Sequence, residues 1–178
     1  MKKIMIVDDN YLSAEGIEKN IDWETLNAEI IHVCYNGTSA IEAMKKEPAD
    51  LIISDIEMPD LDGISMSRQA LEINPMVKII LISAYDKFEY ARRALLLGAL
   101  DYIEKPLDYA YLIQKVRNAF ALMEREQKNL QLLKQSRPLL TEKFFREITH
   151  LPSSEAAYRL KPYLQYLNLE LNYDFYTV

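Results

Sequence analysis

The sequence predicts an α/β fold with a doubly wound parallel sheet. Strand-like and helix-like segments alternate strictly from residue 3 to about residue 122 of the 178-residue chain. The strand candidates are short and continuously apolar, as expected where helices cover both faces of a parallel sheet. Five strands and five helices in this alternation indicate three layers, with the sheet in the middle. The predicted strands are residues 4–7, 30–34, 51–54, 78–83 and 101–104.

Turn-forming residues bound the helices between these strands. Asn-Gly and Asp-Gly pairs at residues 36–37 and 62–63 form turns before two of them. Prolines follow two helices and a glycine ends a third, which is typical of helix C-termini. The predicted helices are one that follows Asn10 directly, residues 39–46 before Pro48, residues 64–72 before Asn74-Pro75, residues 88–98 ended by Gly98, and one that begins near Leu107.

Composition indicates a globular protein with a buried core. Apolar residues make up 49% of the chain, and the formal net charge of −6 argues against a surface that binds nucleic acid by itself. The one cysteine, Cys34, cannot form an internal disulfide, and its apolar surroundings predict a buried, inert thiol. No apolar stretch approaches the ~20 residues that span a bilayer. We therefore expect a soluble, cytoplasmic protein with no membrane partner.

Charged and hydroxyl side chains follow the predicted strands. Asp8 and Asp9 come after the first strand, Asp55 after the third and Lys105 after the fifth, while Ser83 closes the fourth. In an open parallel sheet the carboxyl ends of the strands lie along one edge, where ligands bind. We therefore expect these five residues to converge on one site.

Carboxylates in this arrangement suit a divalent cation. Mg²⁺ prefers an octahedron of oxygen ligands and keeps several waters, so one or two carboxylates suffice to hold it. We expect Asp9 and Asp55 to bind directly, with Asp8 supporting through a water. The backbone carbonyl of Glu57, two residues after Asp55, is a candidate for the third protein ligand.

The same residues suit the transfer of a phosphoryl group. A carboxylate can attack phosphorus and form an acyl phosphate, and this reaction needs positioning and charge neutralisation above all. Lys105 supplies positive charge, and the Ser83 hydroxyl can donate a hydrogen bond to a phosphoryl oxygen. A lone aspartate after a strand is more often a helix cap, and we assign Asp62, before Gly63, to turn chemistry. The convergence of several strand ends favours a functional site over separate caps.

Four motifs carry a family resemblance. The chain resembles a bacterial two-component response regulator, with the receiver domain over residues 1–122. The resemblance implies a flavodoxin-like fold with strand order 2-1-3-4-5. The motifs are IVDDN at residues 6–10, ISDIEMP at 53–59 with Asp62-Gly63, LISAY at 81–85 and DYIEKP at 101–106.

The resemblance implies a chemical role for each carboxylate. Asp55 would accept a phosphoryl group from a phosphohistidine on a sensor histidine kinase. Asp8 and Asp9, together with Asp55 and the Glu57 carbonyl, would hold Mg²⁺. The domain would catalyse only its own phosphorylation and dephosphorylation, so we do not expect an enzyme that acts on other substrates.

The resemblance also implies a switch. Ser83 would be the switch hydroxyl, Tyr102 the switch aromatic residue and Lys105 the lysine of the site, with a cis peptide between Lys105 and Pro106.

Two alternatives to a phosphorylated receiver domain stay open. One is a pseudo-receiver that mediates protein contacts without phosphorylation, and the other is a phosphatase that forms an acyl phosphate.

Two phrases narrow the resemblance. IDWE at residues 21–24 and YDKFEYA at residues 85–91 are similar to receivers of regulators that end in an AraC-type DNA-binding domain. This implies a transcriptional output in a longer parent protein. DNA would then be bound only by a domain absent from this chain.

The segment after the receiver domain predicts an extended helix. Residues 123–137 continue the last receiver helix, and residues 138–178, after the breaker Pro138, read as the start of a truncated inter-domain linker. A 4-3 spacing of apolar residues predicts a coiled-coil seam for a homodimer. Packing of its first part against the receiver core and a solvated connector are the alternatives. The seam residues are Val116, Ala119, Met123, Leu130 and Leu133.

Overall fold

The structure is a computed structural model that describes residues 1–84, 92 and 98–148, with side chains up to residue 132. The five predicted strands form one parallel sheet. The strands cross the sheet in the order 2-1-3-4-5, and each neighbouring pair is parallel. The predicted doubly wound fold and its strand order are therefore confirmed. The strands are β1 Lys2–Val7, β2 Ala28–Cys34, β3 Leu51–Asp55, β4 Lys78–Ser83 and β5 Asp101–Glu104.

Helices connect the strands where the turn residues predicted them. Within the described part of the chain they are α1 Tyr11–Asn20, α2 Gly37–Lys46, α3 Gly63–Ile73 and α4 Tyr109–Ile148. The first three begin after an Asn or Asp whose side-chain oxygen accepts backbone N–H groups of the first turn. These capping residues are Asn10, Asn36 and Asp62. The helix predicted at residues 88–98 lies outside the described residues.

The central strands β1, β3 and β4 are buried on both faces. Ile4, Ile53 and Ile80 have 0% exposure, and Met44 of α2 and Met66 of α3 belong to the core on one face. Burying an aliphatic side chain of this size contributes roughly 1.5–3 kcal/mol. Burial on both faces explains why the sequences of these strands are mostly apolar. Each strand ends close to the point where its apolar run ends.

The chain divides into two compact units, Met1–Leu122 and Met123–Val178. Helix α4 continues to Ile148, past Pro138, where the sequence predicted a break. A proline in a helix interior costs ~3 kcal/mol, which is why the sequence indicates a break at this residue. Within the described residues, every helix is too short or too polar to cross a lipid bilayer.

Part of the predicted dimer seam is buried, and the seam itself stays a prediction. Val116 and Ala119 have 0% exposure, which fits the alternative that the first part of the last helix packs against the domain core, and Met123 has 8% exposure. A stripe that faces a domain core and a coiled-coil seam have nearly the same period, which is why the sequence pattern did not separate them. Leu130 is 46% exposed, and the side chain of Leu133 lies outside the described residues.

Candidate functional site

The parallel register brings four strand ends to one edge of the sheet. β1 and β3 remain paired up to the residues before their aspartates, and β4 and β5 remain paired up to Ser83 and Glu104. Residues at these ends or just after them therefore meet at the same edge, as the sequence predicted. They are Asp8, Asp9, Asp55, Ser83 and Lys105.

Lys105 joins two of the carboxylates. Its ammonium nitrogen Nζ donates hydrogen bonds to Asp8 Oδ2 at 3.0 Å and to Asp55 Oδ2 at 2.7 Å. The side chains of Asp8 and Asp55 are 1% and 9% exposed, and that of Lys105 is 25% exposed. Hydrogen bonds between charged groups are stronger than neutral ones, especially where water is largely excluded. The lysine therefore holds the two carboxylates together against their mutual repulsion.

Burial governs the ionisation of this cluster. Removal from water raises the pKa of the Asp8 carboxyl group, and the backbone N–H of Asn10 and the Lys105 ammonium offset only part of that effect. Burial lowers the pKa of Lys105, but its hydrogen bonds to Asp55 and Asp8 outweigh burial, so its pKa is raised overall. The lysine is firmly protonated, and a nearby cation stabilises the ionised form of the buried Asp8 carboxyl group.

Backbone donors hold the second oxygen of each carboxylate to different degrees. The N–H of Asn10 donates to Asp8 Oδ1 at 2.9 Å, whereas the N–H of Glu57 lies 3.4 Å from Asp55 Oδ1. The longer distance makes a weak bond, so Asp55 is held firmly at one oxygen only. Asn10 is a member of the site that was not predicted from the sequence. The signal was present, because an asparagine between a strand and a helix is a common N-cap.

Gly63 allows the loop after Asp55 to fold back on its own strand. A methyl group at Gly63 would overlap the backbone carbonyl oxygen of Asp55, and the Gly63 N–H donates to the Ile56 carbonyl at 2.8 Å. Asp62 Oδ1 accepts the N–H of Ser65 at 2.6 Å. The assignment of Asp62 to turn chemistry is confirmed, and Gly63 shapes the backbone that carries the central carboxylate.

Ser83 lies on β4, the strand next to that of Asp55, and Tyr102 lies on β5, one strand further along the sheet. Ser83 has 0% exposure at the end of β4, and its carbonyl oxygen accepts the N–H of Lys105 at 2.8 Å. Tyr102 of β5 pairs with Leu81 and is partly buried against the core. The peptide bond between Lys105 and Pro106 is cis, as the family resemblance implied.

The acidic cluster has the chemistry of a magnesium site. One carboxylate oxygen from each of Asp8, Asp9 and Asp55 lies within 4.8 Å of the others, and Asp9 is exposed to solvent. Oxygen ligands at this spacing can share one cation directly or through water, and Mg²⁺ retains several waters. The donor set therefore fits Mg²⁺, with its remaining positions open to solvent or to a phosphoryl oxygen.

Comparisons with known proteins agree with this geometry. The family model for the response regulator receiver domain matches residues 4–117. The chain is 30% identical over 126 residues to the uncharacterized transcriptional regulatory protein YesN of Bacillus subtilis (strain 168), which covers 71% of this chain and 34% of YesN. Across the first curated relatives, the chain spans between 34% and 51% of their length.

Two solved structures share the fold and are at least 30% identical in sequence to this chain. The REC domain of AraT, a response regulator from Geobacillus stearothermophilus, has a TM-score of 0.67 at 34% identity, over 71% of this chain and 98% of that one. A two component transcriptional regulator AraC from Clostridium phytofermentans ISDg has a TM-score of 0.67 at 30% identity, over the same shares.

Proposed function

Because the chain belongs to the response regulator receiver domain family, we propose that Asp55 accepts a phosphoryl group from a phosphohistidine on a sensor histidine kinase. The observation that carries this proposal is the position of Lys105. Its ammonium bridges Asp55 and Asp8 at 2.7 and 3.0 Å, beside the exposed carboxylate of Asp9. A nucleophilic carboxylate with a cation and two further carboxylates beside it suits phosphoryl transfer.

In the proposed reaction an oxygen of Asp55 bonds to phosphorus. The bond between phosphorus and the imidazole nitrogen breaks, and its electron pair leaves with the imidazole. The weakly held oxygen Oδ1 of Asp55 is the better candidate for the nucleophile, because Oδ2 accepts a short hydrogen bond from Lys105. Lys105 then offsets the negative charge added to the site.

Asp8, Asp9 and Asp55, with the backbone carbonyl of Glu57, are the proposed ligands of Mg²⁺. When bound there, Mg²⁺ would neutralise charge on the phosphoryl oxygens. The raised pKa of Asp8 supports this assignment, because a buried carboxylate near other carboxylates is stabilised by a second cation. The chain's own residues supply the nucleophile, the lysine and the oxygen ligands.

Phosphorylation acts as a switch in this proposal. The Ser83 hydroxyl moves to donate a hydrogen bond to the phosphoryl group, and Tyr102 changes orientation on β5. Tyr102 lines a cleft of about 340 Å³ together with Pro106 and Tyr111 at the beginning of α4. A change of the Tyr102 side chain therefore alters the surface next to α4, which supports α4 as the route to an output.

The proposed output is transcriptional. Two of the curated relatives are named transcriptional regulatory proteins, and a solved relative is named a two component transcriptional regulator AraC. We propose that residues 1–122 are the receiver domain and that residues 123–178, of which 123–148 extend its last helix, begin a linker to an AraC-type DNA-binding domain. Homodimerisation through the exposed part of α4, around Leu130, and a cytoplasmic location belong to the same proposal.

Incorporation of phosphate from acetyl phosphate tests the acceptor. The wild-type protein with Mg²⁺ should gain the mass of one phosphoryl group, and Asp55→Asn should gain none. Asp62→Asn is the matched control, because asparagine keeps the oxygen that caps α3. Labelling of Asp55→Asn at the wild-type rate would refute the proposal.

The same assay separates the alternatives. If the wild-type protein incorporates no phosphate, either with Mg²⁺ or with a chelator that removes metal ions, the result would favour the pseudo-receiver. Continuous hydrolysis of a small phosphomonoester would favour the phosphatase, because a receiver domain turns over only its own acyl phosphate.

A further inference from the structure

Gly16, in the middle of α1, lies against a side chain from α4. A methyl group at Gly16 would lie 2.5 Å from the hydroxyl oxygen of Tyr109, the first residue of α4, and 3.8 Å from its ring carbon Cζ. Glycine is unfavourable in a helix interior, and the backbone of Gly16 is not in the left-handed region. The close approach of Tyr109 is therefore the physical reason for a glycine at this position.

Tyr109 stands at the end of the short loop that begins with Lys105. The N–H of Lys105 donates to the carbonyl oxygen of Ser83 at 2.8 Å, which anchors the start of the loop on β4. Asp108 Oδ1 accepts the N–H of Ala110 at 2.8 Å and so fixes the first turn of α4. Contact between Tyr109 and α1 sets how closely this loop approaches α1.

The loop and α1 enclose a cleft next to the site. Its volume is about 350 Å³, and its lining includes Asp8 and Lys105 as well as Leu12 and Tyr109. Tyr109, whose hydroxyl group approaches Gly16, and two members of the acidic site thus line the same cleft. A change in the distance between the loop and α1 therefore also displaces Lys105, because Lys105 belongs to the loop.

We infer that Tyr109 is a positioning residue, which rests on Gly16 and thereby sets the place of the Lys105 ammonium between Asp8 and Asp55. A methyl group at Gly16 and the Tyr109 hydroxyl would have to separate by about 0.9 Å to reach the 3.4 Å of ordinary contact. Hydrogen bonds of 2.7 and 3.0 Å change strength over such a displacement. This inference rests on the proposed function, since transfer to Asp55 is the reaction that the lysine assists.

A pair of substitutions tests the contact. Gly16→Ala should slow phosphorylation by acetyl phosphate and Mg²⁺ about tenfold, because a small misplacement of a charged group is costly in catalysis. Tyr109→Phe removes the oxygen that the methyl group meets and leaves Cζ at 3.8 Å, an ordinary contact. Gly16→Ala/Tyr109→Phe should therefore react within about twofold of Tyr109→Phe alone. Glu18→Ala, on the exposed side of α1, is the matched control and should react as wild type.

A spectroscopic signal of the lysine gives a second, independent measure. In the metal-free protein, the NMR signal of the Lys105 side chain, identified by its loss in Lys105→Gln, should shift in Gly16→Ala and return in the double variant. Wild-type rate and wild-type signal in Gly16→Ala would overturn the inference, because the Tyr109 ring would then have moved aside without the loop. A double variant as impaired as Gly16→Ala would overturn it as well.

Two further results keep the test decisive. If Gly16→Ala does not fold, Tyr109→Ala removes the same spacer and should shift the Lys105 signal; an unchanged signal would overturn the inference. If the wild-type protein incorporates no phosphate, the proposed function fails, and the Lys105 signal alone decides the role of Tyr109.

Discussion

Replacing Lys105 with glutamine should destabilise the metal-free protein. The substitution leaves two carboxylates, 1% and 9% exposed, facing each other without the ammonium between them. Breaking a buried ion pair costs ~3–5 kcal/mol, because the remaining charge is uncompensated. The Lys105 side chain is 25% exposed, so solvent screens part of this effect, and we expect a loss of about 2 kcal/mol in the free energy of unfolding.

Two perturbations should reverse this loss. Asp8→Asn in the Lys105→Gln background removes one of the facing charges, so it should restore most of the lost stability. Saturating Mg²⁺ should also narrow the difference, because a cation that binds only the folded state stabilises it by ~2.7 kcal/mol at a hundredfold excess over its dissociation constant. The variant should gain more from Mg²⁺ than the wild type, since no ammonium competes for the carboxylates.

Urea unfolding followed by tryptophan fluorescence measures these differences. Trp23 is the one tryptophan in the sequence and is 7% exposed, so it reports the loss of tertiary structure. Equal midpoints for wild type and Lys105→Gln in the presence of a chelator would refute the electrostatic reasoning. Failure of Asp8→Asn to restore stability would instead assign the loss to packing of the lysine stem.

Three other predictions follow from features of the fold. Gly63→Ala should lower the free energy of unfolding by about 3 kcal/mol and slow phosphate incorporation at Asp55, because the added methyl group overlaps backbone atoms; urea unfolding and the incorporation assay check both. Asn36→Ala should cost about 1 kcal/mol in a thermal or urea unfolding experiment, whereas Asn36→Asp keeps the capping oxygen and should stay near wild type. Burial raises the pKa of the Cys34 thiol and so keeps it protonated. At mildly alkaline pH a thiol reagent should therefore react slowly with the folded protein and quickly with the protein unfolded in urea. Equal rates would contradict burial of the thiol.

The positions of the site residues could be predicted because they depend on local order in the sequence. Asp8 and Asp55 each follow a mostly apolar strand, and such a strand fits burial on both faces, whereas Lys105 follows the short edge strand β5. A parallel sheet then aligns the ends of its strands. The family resemblance was needed only for the separate roles within the cluster, such as acceptor and switch.

Contacts between distant segments could not be predicted in the same way. Nothing in the sequence near Gly16 indicates that the hydroxyl group of Tyr109 lies above it, because that contact depends on how α4 packs beside α1. The burial of Val116 and Ala119 was ambiguous for a different reason. A core stripe and a coiled-coil seam drift apart by only ~20° per heptad, so three turns of helix do not distinguish them.

The two hydrogen bonds of Lys105 also relate the site to the order in which the chain is synthesised. They reach back 50 residues to Asp55 and 97 residues to Asp8. On the ribosome, Asp55 therefore emerges well before the lysine, and domains generally fold as units once their segments are available. Until β5 has joined the sheet, a nascent chain presents its central aspartate without the ammonium group. An incomplete copy thus lacks the assembled site, and the three side chains come together only when nearly the whole receiver domain has been made.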